Sequence, residues 1–143
     1  MLKHNFMINQ DEFLYGDETY KLRGILFATH NELGRFAKEK HYCDKAEERF
    51  KLKLIPYLRE QSVGDILDRP DFIVWDLIVL EFKAKPFLQR EDFEQVQRYL
   101  QQTNLKLGIL VNFRAKYLKP QRILNINHLQ VSVKSQESVD RNK

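Results

Sequence analysis

Arg69-Pro70-Asp71-Phe72-Ile73-Val74-Trp75-Asp76-Leu77-Ile78-Val79-Leu80-Glu81-Phe82-Lys83 sets two short apolar runs between charged residues. Phe72-Ile73-Val74-Trp75 and Leu77-Ile78-Val79-Leu80 are rich in β-branched and aromatic side chains, and Asp76 stands between them as the natural place for the chain to reverse. A hairpin over this stretch sets Asp71 beside Glu81. Because side chains alternate along a strand, Glu81 and Lys83 point to one face and Phe82 to the other. Two carboxylates and one ammonium therefore converge at the open end of the hairpin.

Like charges on a strand pair repel, and an apolar strand gains nothing by ending in Glu-x-Lys. A divalent cation removes the repulsion. Hard ions such as Mg²⁺ or Mn²⁺ bind through one or two carboxylates completed by water and substrate phosphate oxygens, and a nearby Lys can orient the attacking water. An ordinary exposed ion pair at a strand end accounts for Glu81 and Lys83 just as well at this point.

Upstream, Leu22, Ile25, Leu26 and Leu33 recur at helical spacing from Asp17 to Leu33, with Thr29 between them and acidic Asp17 and Glu18 at the start. Gly34 permits a break, and a second helix follows with Phe36, Cys43, Ala46 and Phe50 as its buried positions and Glu39 one turn from Tyr42. Phe50-Lys51-Leu52-Lys53-Leu54 alternates and predicts a strand stopped near Pro56; Arg59 to Gly64 reads as a loop. Downstream, Glu91 to Gln102 predicts a helix with Phe93, Val96 and Leu100 facing inward and Gln95 four residues from Tyr99. Leu105 to Val111 is nearly all apolar, as in a strand covered on both faces, so strand, helix and strand make a crossover unit. Arg122 to Val133 predicts a last edge strand and residues 134–143 a flexible tail.

At 143 residues the chain is expected to be a single domain, its core spanning about residues 17–133. No apolar run is long enough to span a membrane, and Met1-Leu2-Lys3-His4-Asn5-Phe6 lacks the features of a secretory signal. Cys43 is the only cysteine, which excludes an internal disulfide and suits a reducing, cytoplasmic setting. The net charge of +4 favours a polyanionic partner. Lys45, Arg49, Lys51 and Lys53 form one basic stretch, and Arg114, Lys116, Lys119 and Arg122 another. Either could line a phosphate-binding surface or form a solvated face.

Taken in order, these segments resemble the GxxExxY proteins, a small-domain branch of the PD-(D/E)XK nuclease superfamily. The opening helix and turn are similar over Leu22 to Gly34, and the naming motif falls on Phe36-Ala37-Lys38-Glu39-Lys40-His41-Tyr42, with Phe36 where the family has Gly. Pro70-Asp71 followed by Glu81-Phe82-Lys83 resembles the superfamily's core motif, Gln95 and Tyr99 its Q-x-x-x-Y helix, and Thr103 to Phe113 the following strand.

The resemblance implies an α/β restriction-endonuclease-like fold, a mixed central sheet flanked by helices. It implies a nuclease that hydrolyses phosphodiester bonds, in DNA rather than RNA, with Mg²⁺ or Mn²⁺. Asp71, Glu81 and Glu39 would hold the ion together with the Phe82 carbonyl, and Lys83 would position the attacking water. Gln95 and Tyr99 would bond the nucleic-acid backbone or brace the metal ligands, and Tyr42 would bind substrate, stacking or hydrogen-bonding near Glu39. A homodimer is the expected assembly. His30, His41 and Cys43, with no second ligand at metal spacing, read as structural. Two rival readings are a catalytically silent nucleic-acid-binding or regulatory module on the same fold, and a protein-interaction domain with a strand-end ion pair.

Overall fold

The hairpin reverses through Trp75 and Asp76, whose backbones both lie in the left-handed region at φ 54° and 55°. The Leu77 amide closes the turn on the Val74 carbonyl at 3.0 Å. Positive φ at both central residues matches the twist of antiparallel strands, although a Trp there is sterically unusual. The computed structural model describes residues 14–60 and 69–128. Among them are helices α1 (Gly16–Leu33), α2 (Glu39–Leu52) and α3 (Arg90–Thr103) and strands β1 (Tyr57–Arg59), β2 (Phe72–Val74), β3 (Ile78–Lys83), β4 (Leu107–Asn112) and β5 (Gln121–Leu124).

The five strands lie in sequence order in one sheet. β1, β2 and β3 run antiparallel in turn, β3 and β4 are parallel, and β5 returns antiparallel to β4. The parallel pair is joined by α3, which makes the expected crossover unit. Alternation divides the sheet's side chains between two layers. Phe72, Val74, Ile78, Leu80, Phe82, Leu107, Ile109 and Val111 pack against Leu22, Ile25 and Leu26 of α1 and Tyr42, Cys43, Ala46 and Phe50 of α2. Ile73, Val79, Leu110 and Ile123 pack on the other face against Val96, Tyr99 and Leu100 of α3. This is the mixed sheet with flanking helices that the sequence implies.

Five expectations are corrected. The alternating run from Phe50 to Leu54 is no strand: it contains the end of α2, with Phe50 fully buried and Leu52 and Leu54 exposed. Phe50 lies four residues from Ala46 and seven from Cys43, so a helix buries all three on one stripe; a strand would have buried Leu52 and Leu54 too. The strand comes only after Pro56, and it includes Arg59. Phe36 precedes α2 and is 74% exposed, because α1 stops at Gly34 (φ 73°) and the next segment runs over the surface. Phe93 lies at the exposed margin of α3, where Tyr99 completes the buried stripe. The last strand stops at Leu124, and residues 129–143, with the expected tail, lie outside the described residues, as does most of the expected loop before Gly64. Among the described residues no helix is long and apolar enough to cross a membrane.

Candidate active site

The hairpin register Phe72↔Leu80 brings Asp71 opposite Glu81 one step further out. Both belong to the face covered by α3, since Ile73 and Val79 do. The contact is reciprocal: the Asp71 amide donates to Glu81 Oε1 at 3.1 Å, and the Phe82 amide donates to Asp71 Oδ2 at 2.7 Å. Glu81 is only 3% exposed. Loss of solvation pushes its carboxyl well above the usual carboxylate range, and the adjoining Asp71 carboxylate adds to the shift.

Lys83 follows on the same face and donates from Nζ to Gln95 Oε1 on α3 at 2.8 Å. Its Nζ also lies 3.9 Å from Asp92 Oδ1. Asp92 is held more closely by Lys85, at 2.7 Å, and by the capping box that opens α3, in which the Gln89 amide donates to Asp92 Oδ2 at 2.7 Å. Burial raises the Asp92 carboxyl, but the bonds from Lys85 and the Gln89 amide outweigh it and hold it below its ordinary value. Tyr99, one turn beyond Gln95, is buried, and its hydroxyl donates to the Arg69 carbonyl at 3.0 Å. It thereby ties α3 to the segment that leads into Asp71.

Glu39 and Tyr42 part company although they are one turn apart. Glu39, the first residue of α2, has an exposed side chain that faces the same charge cluster. Its carboxyl is raised first by loss of solvation and then by Asp71, with Lys83 opposing. Tyr42 is fully buried and stacks on Phe113 with ring centroids 4.2 Å apart. Its hydroxyl donates to the Gly34 carbonyl at 2.5 Å and accepts the Ala37 amide at 3.1 Å. A ring so enclosed pins the segment before Glu39 and offers no surface to a ligand, which corrects the expected contact with substrate.

A sequence model of the PD-(D/E)XK nuclease superfamily matches residues 16–125. The chain belongs to that superfamily. Among solved structures, an alkaline exonuclease from Laribacter hongkongensis is similar at 14% identity with a TM-score of 0.44, over 65% of this chain and 59% of the exonuclease. No curated protein matches the sequence.

Membership of the PD-(D/E)XK nuclease superfamily implies a divalent metal. Asp71 and Glu81 adjoin, with Glu81 buried, and neither is ion-paired with a Lys or Arg among the described residues. Two adjoining carboxylates without a counter-ion suit a hard cation that takes most of its other ligands from water and phosphate oxygens. Among the described residues no three His, Cys, Asp or Glu side chains gather into a set that could hold an ion alone, so Glu39 is not drawn into one ligand group with the hairpin pair. His30 instead bonds the Ala115 carbonyl through Nε2 at 2.9 Å, and Cys43 is buried with its thiol pushed up by desolvation. Sequence reasoning missed Asp92 and Lys85. The signal was present in Gln89-x-x-Asp92, a capping-box spacing at the start of a helix.

Proposed function

We propose that this chain is a metal-dependent nuclease of the GxxExxY type that hydrolyses phosphodiester bonds in DNA. The observation that carries the reading is the Asp71–Glu81 carboxylate pair, with Glu81 buried and raised, set beside a Lys83 ammonium already oriented by Gln95. Asp71 and Glu81 would hold a Mg²⁺ or Mn²⁺ ion, with the Phe82 carbonyl as backbone ligand and Glu39 reaching it through water. When bound, the ion supplies a lowered water pKa and neutralises charge that builds on the phosphate. Lys83 would orient the attacking water, and Gln95 fixes where its ammonium sits. Tyr99 would act by bracing the Asp71 segment. DNA is preferred to RNA because superfamily resemblance favours it. The same reading keeps the chain in the cytoplasm, where the lone Cys43 stays a thiol, as a homodimer.

The deciding assay incubates single-stranded, double-stranded and branched DNA, and RNA, with the protein in Mg²⁺, Mn²⁺ or EDTA, beside Asp71→Ala and Lys83→Ala. Cleavage of DNA that needs the metal, disappears in Asp71→Ala and falls steeply in Lys83→Ala is the expected result. Cleavage that persists in EDTA or in both variants overturns the mechanism. Binding without any cleavage would instead identify a silent nucleic-acid-binding module.

A further inference from the structure

Arg35, Phe36 and Arg114 form a surface cluster that none of the roles above uses. Phe36 is 74% exposed, and the guanidinium carbons of Arg35 and Arg114 lie 5.1 and 5.5 Å from its ring centroid. Both guanidiniums are held in place: Arg35 Nε donates to the Arg114 carbonyl at 2.9 Å, and Arg114 Nε donates to the Arg35 carbonyl at 3.1 Å. Arg114 Nη2 also reaches the Ala84 carbonyl at 3.5 Å, one residue beyond Lys83. These bonds join the segment leading into Glu39 to the segments that follow β3 and β4. The cluster therefore sits at the end of the sheet where the parallel strands β3 and β4 finish, the end that also carries Lys83.

Neither guanidinium pairs with a carboxylate among the described residues, whereas in the other basic stretch Lys45 and Arg49 are both bonded to Glu32. Two fixed cations without counter-ions repel each other, and an exposed phenyl ring gains nothing from burial. A ring that is 74% exposed cannot have both faces covered, so one face is open to a ligand. The complementary ligand presents a flat π-face and negative charge together, which a nucleic-acid strand does. We propose that Phe36 is a stacking platform for an unpaired base of a DNA strand entering the Asp71–Glu81 site, with Arg35 and Arg114 on the flanking phosphates. Inside a duplex each base face is already occupied by its neighbours, so the platform selects ends, gaps and single strands. Phe36 stands where the GxxExxY pattern has Gly, which makes the preference a property of this chain. The inference rests on the nuclease reading.

The test is binding in Mg²⁺ of a short single strand carrying 2-aminopurine and of a blunt duplex, in the Lys83→Ala background, where cutting is slow enough for binding to be read first. Phe36→Ala should weaken single-strand binding by about 10-fold and remove the fluorescence change of the stacked base, with the duplex almost unaffected. Phe36→Trp should restore both. Arg35→Gln and Arg114→Gln should each lower the salt dependence of single-strand binding by about 0.7 in logarithmic slope. Equal losses on the two substrates, or none with Phe36→Ala, overturn the platform and leave the nuclease reading standing. Failure of every form to bind any oligonucleotide overturns the nuclease reading itself, and the platform with it.

Discussion

Asp71 and Glu81 each spend one carboxylate oxygen on the other's strand: Glu81 Oε1 accepts the Asp71 amide at 3.1 Å and Asp71 Oδ2 accepts the Phe82 amide at 2.7 Å. The bonds lock the open end of the hairpin and force two acidic groups together. Without a cation the pair is a cost, and Glu81 meets it by holding its proton. A carboxyl raised in the folded state contributes stability that is fully present below its unfolded value and is lost as pH rises through the folded one. In EDTA, the melting temperature should therefore decline steadily as pH rises above the ordinary carboxylate range. Glu81→Gln should flatten that decline and stabilise the metal-free protein at alkaline pH by about 1–3 kcal/mol. Mn²⁺ should raise the melting temperature of the wild type and leave Glu81→Gln unmoved. Superimposable pH profiles for the two proteins would remove this account of the pair.

Lys83 separates from Lys85 by partner. Its ammonium is bonded to the neutral Gln95 amide at 2.8 Å and lies 3.9 Å from Asp92, whereas Lys85 holds Asp92 at 2.7 Å. Lys83, the more distant of the two from Asp92, thus keeps more charge to direct at a substrate. Lys83→Ala should lower the single-turnover rate by roughly 10²–10³-fold, and Lys85→Ala should act mainly on stability, since it strips a partner from a buried carboxylate. Gln95→Ala should fall between, with the rate reduced by about 10-fold while the fold is kept. A Lys85→Ala enzyme slower than Lys83→Ala would reverse the assignment of the two lysines.

How far this layout was legible in the sequence depended on the range of the signal. Phe72 to Lys83 could be read because strand alternation and one reversal fix the register, and register alone puts Asp71 opposite Glu81. The α3 stripe was legible where Val96 and Leu100 repeat, but for Tyr99 the sequence left open a bond to the nucleic-acid backbone or a bracing role, and its depth in the core, at 1% exposure, is set by packing from the sheet. Phe50 to Leu54 misled because five alternating residues also fit the last turn of an amphipathic helix, and only Cys43 and Ala46 upstream distinguish the two. The mutual bonds of Arg35 and Arg114 span 79 residues of sequence and leave no local trace.

Tyr42 connects stability to the placement of Glu39. Its hydroxyl serves both the Gly34 carbonyl and the Ala37 amide, so Tyr42→Phe leaves two backbone groups short of a partner at the turn before α2. The expected loss is about 1–3 kcal/mol, or several degrees in melting temperature. Because the ring still stacks on Phe113, the protein should remain folded and still cleave well below its melting point. Abolished cleavage with an unchanged melting temperature would instead assign the hydroxyl a direct role in the reaction.

Gly108 governs how closely α3 approaches the sheet. A Cβ built there would lie 2.6 Å from Val96 Cγ1, 3.5 Å from Leu100 Cδ1 and 3.6 Å from the Val79 carbonyl. Val96 is β-branched and helical, so it has no free rotamer in which to withdraw. Gly108→Ala must therefore lift α3, at an expected cost of about 1–3 kcal/mol. The same helix carries Gln95 and Tyr99, so the displacement also loosens the bonds to Lys83 and Arg69, and cleavage should slow by more than the unfolded fraction explains. Val96→Ala removes the clashing methyl groups. Combined with Gly108→Ala it should cost less than the sum of the two single changes, with a coupling on the order of 1 kcal/mol in a double-mutant cycle. Simple additivity would show that the sheet, not α3, yields to the added methyl group, and the catalytic rate of Gly108→Ala should then match the wild type.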